Sequence, residues 1–352
     1  MQSKEKKKKV TFNDIADHTG FSKTTISRYF NNPDSLTAKN QEIIRKALAD
    51  LNYHENKVAR ILAKGKTEFV GIIVPNLYLH YFSELLNQIL ITHNEFGFKY
   101  LVFVGDGDPE HEKKYLAELM SYQIEGLIVM SHTLPSDELA SLGIPVVSVE
   151  REDDFISSVN CDNYAGARQA AALLHRHECD VYIHVNTPTP ETIPAYKRIL
   201  GFRDYCRENS LRHEIIFLDG DVSFTAISPA VEKLLERLET QYPGQKKGLF
   251  FSDDTRAHSF LNHLVRKYNS LPDSYRLVGF DNSPISRESI YPISTVDQQI
   301  PLIAHEAVTM LVSLIDEAKK GTARSLSSIR HKTVPTVLYQ RDTTEFYTSG
   351  KS

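Results

Sequence analysis

The chain has 352 residues, room for more than one domain, and its 41% hydrophobic and 24% charged residues are those of an ordinary soluble globular protein. No run approaches the roughly 18 uninterrupted apolar residues of a membrane-spanning helix. The N-terminal lysines lead into Thr11, Asn13, Asp14 and Asp17 instead of an apolar segment, so a secretory signal is excluded and the expected location is the cytoplasm, with no membrane partner.

The net charge of −4 divides unevenly. Residues 1–60 carry 12 Lys and Arg against 7 Asp and Glu, a net of +5, whereas the remainder carries 29 against 38, a net of −9. A basic head on an acidic body suits a polyanion-binding module joined to something that must not adhere to polyanions. Cys161, Cys179 and Cys206 lie far apart with no C-x-x-C pair, which argues against a disulfide framework or a structural zinc site.

In chain order, Thr11-Phe-Asn-Asp14 fits a capping box and predicts a helix from about Phe12 to Thr19, broken by Gly20. Ser22 caps a second helix ending near Asn31, and two short helices around a Gly-containing turn form a helix-turn-helix. At helical spacing Ile26, Tyr29 and Phe30 gather on one face, and Lys23, Thr24, Ser27 and Arg28 on the other. The second face suits a DNA major groove: Arg meets guanine bidentately, and Lys and Thr reach base edges or phosphates. A third helix, capped by Thr37, turns Ile43, Ile44, Ala47, Leu48 and Leu51 inward. The segment Asn56 to Lys64 is too short to be a stable helix alone and reads either as a hinge that folds on DNA or as a plain linker.

The uninterrupted run Val10-Thr-Phe-Asn-Asp-Ile-Ala-Asp-His-Thr-Gly-Phe-Ser-Lys-Thr-Thr-Ile-Ser-Arg-Tyr-Phe-Asn31, followed by Leu51-Asn-Tyr53 and Asn56-x-Val-Ala-Arg-x-Leu62, resembles the head of the LacI/GalR family of bacterial repressors. That resemblance implies base reading by Lys23, Thr24 and Arg28, and phosphate or positioning contacts from Thr11, Ser22, Thr25, Ser27 and Asn31. It also implies a hinge helix begun at Asn56 with Leu62 as minor-groove wedge. Tyr29-Phe30 is bulkier than the pair often found there, so local packing is expected to differ.

From Phe69 short β-rich runs alternate with amphipathic stretches. Strands are expected at Phe69–Val74, 100–104, 126–130 and 145–149, then at 181–185, 215–218, 248–251 and 276–280. Helices are expected over 81–96, 110–121, 163–177, 194–209, 228–240 and 254–269. Such alternation predicts two parallel-sheet α/β subdomains with ligands bound beyond the carboxyl ends of their strands. Those positions hold Asn76, Tyr78, His80, Tyr81 and Phe82, then Glu150-Arg151, Asn186, Asp253-Asp254 and Asp281-Asn282, with Arg198 in the following helix. Carboxylate, amide and guanidinium groups around an aromatic platform bind polyols.

The body is similar to the same family, through Val70-Gly-Ile-Ile-Val-Pro75, Gly126-Leu-Ile-Val129, Asp162-Asn163 with Gly166, Arg198-x-x-Gly-Phe202, Asp253-Asp254 and Val278-Gly-Phe-Asp281. The resemblance implies periplasmic-binding-protein-like subdomains, a pocket lined by 76–82, and Arg198, Asp254 and Asp281 as effector ligands. His177-Glu178 replaces a usual Gly-His pair, and Asp253 a common Asn. The additional carboxylate favours a neutral sugar over a sugar phosphate, while Lys197 and Arg198 favour the reverse.

The expected organisation is an all-α helix-turn-helix head at 1–55, a hinge at 56–66, an α/β core at 67–342 with crossovers near 161 and 290, and a polar tail at 343–352. The expected function is a non-enzymatic repressor of carbohydrate genes, with double-stranded pseudo-palindromic operator DNA, a small carbohydrate and a second copy of itself as partners. No cofactor is expected, since P-loop, G-x-G-x-x-G, H-E-x-x-H and G-x-S-x-G motifs are missing. No metal is expected either, since His175 and His177 point apart on a helix. The rival readings are a sugar-binding α/β enzyme and a transport receptor with a fused head.

Overall fold

The computed structural model describes residues 10–53, 67–218, 223–320 and 329–345. It divides into two compact units, Met1–Lys66 and Thr67–Ser352. In the first, α1 (Phe12–Thr19) begins with the expected reciprocal cap: Asp14 Oδ2 accepts from the Thr11 N–H at 2.7 Å, and Thr11 Oγ1 from the Asp14 N–H at 3.4 Å. Gly20 closes the helix at φ 71°, a left-handed conformation that costs glycine little. Ser22 caps α2 (Lys23–Asn31) and Thr37 caps α3 (Ala38–Asp50).

Ile15, Ile26, Ile44 and Ala47 form the buried centre of this unit. Tyr29 and Phe30 find room at its margin. Phe30 stacks on Phe12 at 5.1 Å and leans on Tyr53 at 5.8 Å, so the bulky pair becomes an aromatic rim. Ile43, expected inward, is 36% exposed, because it lies about 100° around the helix from Ile44.

The second unit holds two six-stranded sheets. The first has the order β11-β5-β4-β3-β1-β2, built from β1 (Phe69–Val74), β2 (Lys99–Val104), β3 (Gly126–Val129), β4 (Val146–Val149), β5 (Ser157–Cys161) and β11 (His331–Val334). The second has the order β12-β10-β9-β8-β6-β7, built from β6 (Val181–Asn186), β7 (His213–Phe217), β8 (Lys247–Phe251), β9 (Tyr275–Asp281), β10 (Ser294–Asp297) and β12 (Val337–Tyr339). Among the described residues only the β10–β12 pair is antiparallel. Parallel strands buried on both faces explain near-continuous runs such as Val70-Gly-Ile-Ile-Val74.

The helices that position the site are α4 (His80–Ile91) after β1, α8 (Asn163–His175) after β5, α9 (Tyr196–Glu208) after β6 and α11 (Asp254–Tyr268) after β8. Between α4 and α8 lie α5 (His93–Phe96), α6 (Pro109–Ser121) and α7 (Ser136–Ala140). Then α10 (Phe224–Gln241) precedes α11, and α12 (Pro284–Glu288) and α13 (Ile300–Lys319) follow it.

The chain changes sheet three times. The first change follows Cys161. The second follows Asp297, later than the expected 290, because Ser294–Asp297 still pairs with β9 in the second sheet. The third, between β11 and β12, was not anticipated. Nor does a polar tail begin at 343: Thr343 and Thr344 are fully buried, and Thr343 Oγ1 donates to the Leu277 carbonyl at 2.7 Å. The core therefore continues at least to Glu345.

Candidate functional site

Two sets of residues stand out. On α2, Ile26 is buried while Lys23, Thr24 and Arg28 are exposed, with no ion pair to either cation among the described residues. The helix end is fixed by Ser22, whose Oγ accepts the Thr25 N–H at 3.2 Å and lies 2.9 Å from Thr25 Oγ1. One turn on, the Asn31 amide donates to Ser27 Oγ at 3.1 Å. The result is a rigid polar face with its guanidinium and ammonium unspent. Thr11 is consumed in the cap of α1. Asn56 and Leu62 lie outside the described residues.

The second set sits where the carboxyl ends of the two sheets meet. Arg198, near the start of α9, reaches toward the first sheet: its Nη2 lies 3.7 Å from Glu150 Oε1 beyond β4, with both side chains less than one-tenth exposed. Its Nε donates to Asn163 Oδ1 at 2.6 Å and its Nη1 to the Ser252 carbonyl at 2.7 Å. The guanidinium lies 3.9 Å from the centre of the Phe280 ring, a cation–π contact in a dry setting. Tyr81 donates its hydroxyl to Glu150 at 3.2 Å, and burial pushes its pKa well up. Glu150, with φ 65°, is thus the carboxylate joining Tyr81 to Arg198, a role not assigned to it from the sequence.

Asp254 begins α11 fully buried. It accepts from the Ser283 N–H at 2.8 Å, the Ser283 hydroxyl at 3.0 Å and the Thr295 hydroxyl at 2.6 Å. Gly279 makes this approach possible, since a Cβ there would lie 2.2 Å from Asp254 Oδ1. The period of two along β9 puts Gly279 and Asp281 on one face and Phe280 on the other, beneath Arg198. Desolvation raises Asp254 to about 7, with Asp253 adding to the shift, and pushes Asp281 well above the carboxylate range, with Asp254 adding to it. Asp281 accepts from the Gln298 amide at 2.6 Å, bringing in a residue unforeseen in the sequence.

Around the rim, His80 Nδ1 lies 3.0 Å from Thr255 Oγ1, a second link between the sheets, and burial lowers the pKa of His80. Tyr78 and Leu79 pack against the apolar core of the second subdomain, while Phe82 packs against a cluster drawn from both subdomains and meets Tyr81 edge-on at 5.2 Å. Two candidates have structural duties. Asn76 Oδ1 accepts from the N–H groups of Tyr78 and Leu79, shaping the loop. The Asn186 side chain engages His184 Nε2 at 3.2 Å and the Thr187 N–H at 2.8 Å. His184 lies buried and neutral, its pKa pushed down to about 3 by desolvation, with Nδ1 3.0 Å from the Phe250 carbonyl. Asp253 is taken up by capping α11 and pairing with Arg256.

Comparison with known proteins places both sets in context. Residues 11–56 match the family described as bacterial regulatory proteins, lacI family. Residues 67–243 match periplasmic binding proteins and the sugar binding domain of the LacI family, and 165–344 a periplasmic binding protein-like domain. The sucrose operon repressor of Streptococcus mutans serotype c is 28% identical over 305 residues, covering 86% of this chain and 92% of that protein. The ribose operon repressor of Halalkalibacterium halodurans is 27% identical over 337 residues, covering 96% and 97%. Among solved structures, the lac repressor dimer bound to operator and the anti-inducer ONPF aligns with TM-score 0.78 at 22% identity, covering 96% of this chain and 99% of that one, which shows a shared fold. No helix among the described residues is long and apolar enough to cross a membrane. With an N-terminal helix-turn-helix and a sugar-binding-type core matched in sequence, the chain belongs to the LacI family of bacterial transcription regulators.

Proposed function

We propose that this protein is a cytoplasmic, sequence-specific repressor of carbohydrate-utilisation genes that binds a pseudo-palindromic operator as a dimer and responds to a small carbohydrate held between the two core subdomains. The observation that carries the reading is the pairing of an unspent Lys23–Thr24–Arg28 face with a cleft whose polar groups come from both sheets. Relatives named as sucrose and ribose operon repressors favour this over a sugar-processing enzyme or a transport receptor.

Lys23, Thr24 and Arg28 read bases, while Ser22, Thr25, Ser27, Asn31 and Thr11 hold the helix or touch phosphates. In the core, Arg198, Asp254, Asp281 and the 76–82 segment surround the ligand. Glu150–Arg198 and His80–Thr255 link the sheets, so a ligand that binds better to one arrangement of the subdomains shifts their equilibrium. Residues 56–66 relay that shift to the head, with Asn56 opening the relay segment and Leu62 entering the minor groove. Selection from a random duplex pool with the full chain tests the DNA half. Enrichment of a two-fold-related sequence is expected, and a pool no different from its starting composition overturns it.

A further inference from the structure

Asp281 and Asn282, the turn that ends β9, hold backbone φ angles of 114° and 53°. Two consecutive non-glycine residues at positive φ are costly, Asp281 above all, because its φ lies in a region open almost only to glycine. Such a turn persists only where its surroundings hold it. Asp281 carries the buried carboxylate assigned above to the effector, and the following rests on that reading.

The holding contacts converge on Asn282. Its N–H donates to Thr295 Oγ1 at 3.3 Å and its side-chain amide to Asp297 Oδ2 at 3.2 Å. Its Oδ1 accepts from Arg341 Nη2 at 2.5 Å, the shortest of the three. Thr295 and Asp297 belong to β10, the strand paired with β9. Arg341 arrives separately, just beyond β12, on the segment that has crossed from the first sheet.

Arg341 is itself anchored on the second subdomain. Its N–H donates to Ser294 Oγ at 2.8 Å, and its Nη1 to Ser286 Oγ at 3.1 Å and the Ile293 carbonyl at 2.9 Å. Thr343 fixes the residues that follow through the Leu277 carbonyl. These partners of Arg341 are neutral, so its guanidinium works as a planar fork of donors and not as a counter-ion.

We infer that Arg341 is a positioning residue for the effector site: by gripping Asn282 it holds the Asp281–Asn282 turn in its costly conformation and so aims the Asp281 carboxylate at the ligand. Without that grip the turn relaxes toward negative φ. The relaxation swings the Asp281 side chain about its own backbone, away from the Gln298 amide that meets it at 2.6 Å. The competing account is plain bracing of the 284–293 segment through Ser286 and Ile293.

Calorimetric titration of the full chain with sucrose, ribose, glucose, fructose and their phosphates, at a temperature where parent and variants are folded, separates the two accounts. Arg341→Met and Asn282→Gly should each weaken the sugar that binds the parent about 10-fold, the worth of a hydrogen bond to a charged group. Glycine suits φ 53° and removes only the side chain that is gripped. Because both variants cut one link, the double variant should be no weaker than either alone, whereas independent effects would multiply to about 100-fold. Bracing alone predicts a lower melting temperature with unchanged sugar affinity; that result, or additive losses, overturns the inference. If Arg341→Met does not fold, Asn282→Gly decides the matter by the same titration. Amide hydrogen exchange without ligand gives an independent arm. In Arg341→Met the N–H groups of Asn282 and Ser283 should exchange on the order of 10-fold faster, with residues 277–280 unchanged. Equal exchange at Asn282 and Ser283 overturns the inference as well. A folded parent that binds none of these sugars overturns the effector reading instead, and the exchange arm still decides whether Arg341 holds the turn.

Discussion

The head and the core place their working groups on opposite sides of the hydrophobic effect. In the head, three large apolar side chains and one alanine are buried, and the groups proposed to meet DNA, Lys23, Thr24 and Arg28, remain in water on the far face of α2. In the core, the working groups are themselves buried: Arg198 is 7% exposed, Asp281 2% and Asp254 not at all. A solvated cation on a small scaffold costs little to hold and is free to meet a polyanion. A buried carboxylate must be satisfied by the surrounding protein, so the cleft is a hydrogen-bond network first and a binding site second. The head should therefore fail by unfolding or by loss of one charge, and the core by disturbance of its network.

The largest effect is expected from Ile26→Ala, the one fully buried residue of α2. Removing a packed isoleucine costs about 2–5 kcal/mol, a large share of what so small a unit can possess. Duplex binding should vanish while the core melts as before; retained binding would show that the head draws stability from elsewhere. Next, Arg28→Ala should lower affinity for the selected duplex about 10- to 100-fold, the value of one bidentate base contact. Its affinity for random duplex should fall far less, and an equal loss on both would reassign Arg28 to the phosphates.

Gly279→Ala sharpens the contrast from the core side. The added methyl meets Asp254, which three hydrogen bonds hold in place, so about 1–3 kcal/mol of core stability and the ligand response should both be lost, with DNA affinity in the absence of ligand kept. A variant as stable as the parent would mean that the β9–α11 approach yields easily.

The smallest effect is a pH slope. Asp254 is raised in the folded chain to about 7, so its contribution is complete below the unfolded carboxylate range near 4 and is lost as pH rises through about 7. Relative to Asp254→Asn, the parent core should lose melting temperature between about pH 5 and 8. Parallel profiles would contradict the raised value. His184, depressed to about 3, acts in the opposite direction, losing its contribution as pH falls below about 6.5. The comparison with the Asn variant separates the two.

These differences also explain what could be read in the sequence. The head was legible because caps and amphipathic spacing are local: Thr11 with Asp14, Ser22, and Thr37 all appear where their neighbours demand them. Strands rich in Val and Ile were legible for the same reason. Four strands escaped: Val337–Tyr339 is only three residues long, and Ser157–Cys161, Ser294–Asp297 and His331–Val334 are polar, with side-chain bonds to partners far away in sequence. Ser158 meets His331 at 2.8 Å, and Thr295 meets Asp254. Gln298 escaped as a site residue, and so did the link that Glu150 makes, because their partners, Asp281 and Arg198, are brought to them only by the third dimension. Arg198 and Asp281 themselves were expected at the site from the family resemblance, and the fold brings them to its centre.

The central claim is that a ligand in the core cleft changes the affinity of the head for DNA. It is tested by measuring binding of the full chain to its selected duplex with and without a saturating sugar identified by thermal shift. The account predicts a change on the order of 10-fold or more, in either direction, the range of ordinary coupling free energies. It also predicts that Asp281→Ala abolishes the change and leaves ligand-free DNA affinity as it was. An affinity unaltered by a bound sugar would contradict the account, leaving two binding modules on one chain with nothing passing between them.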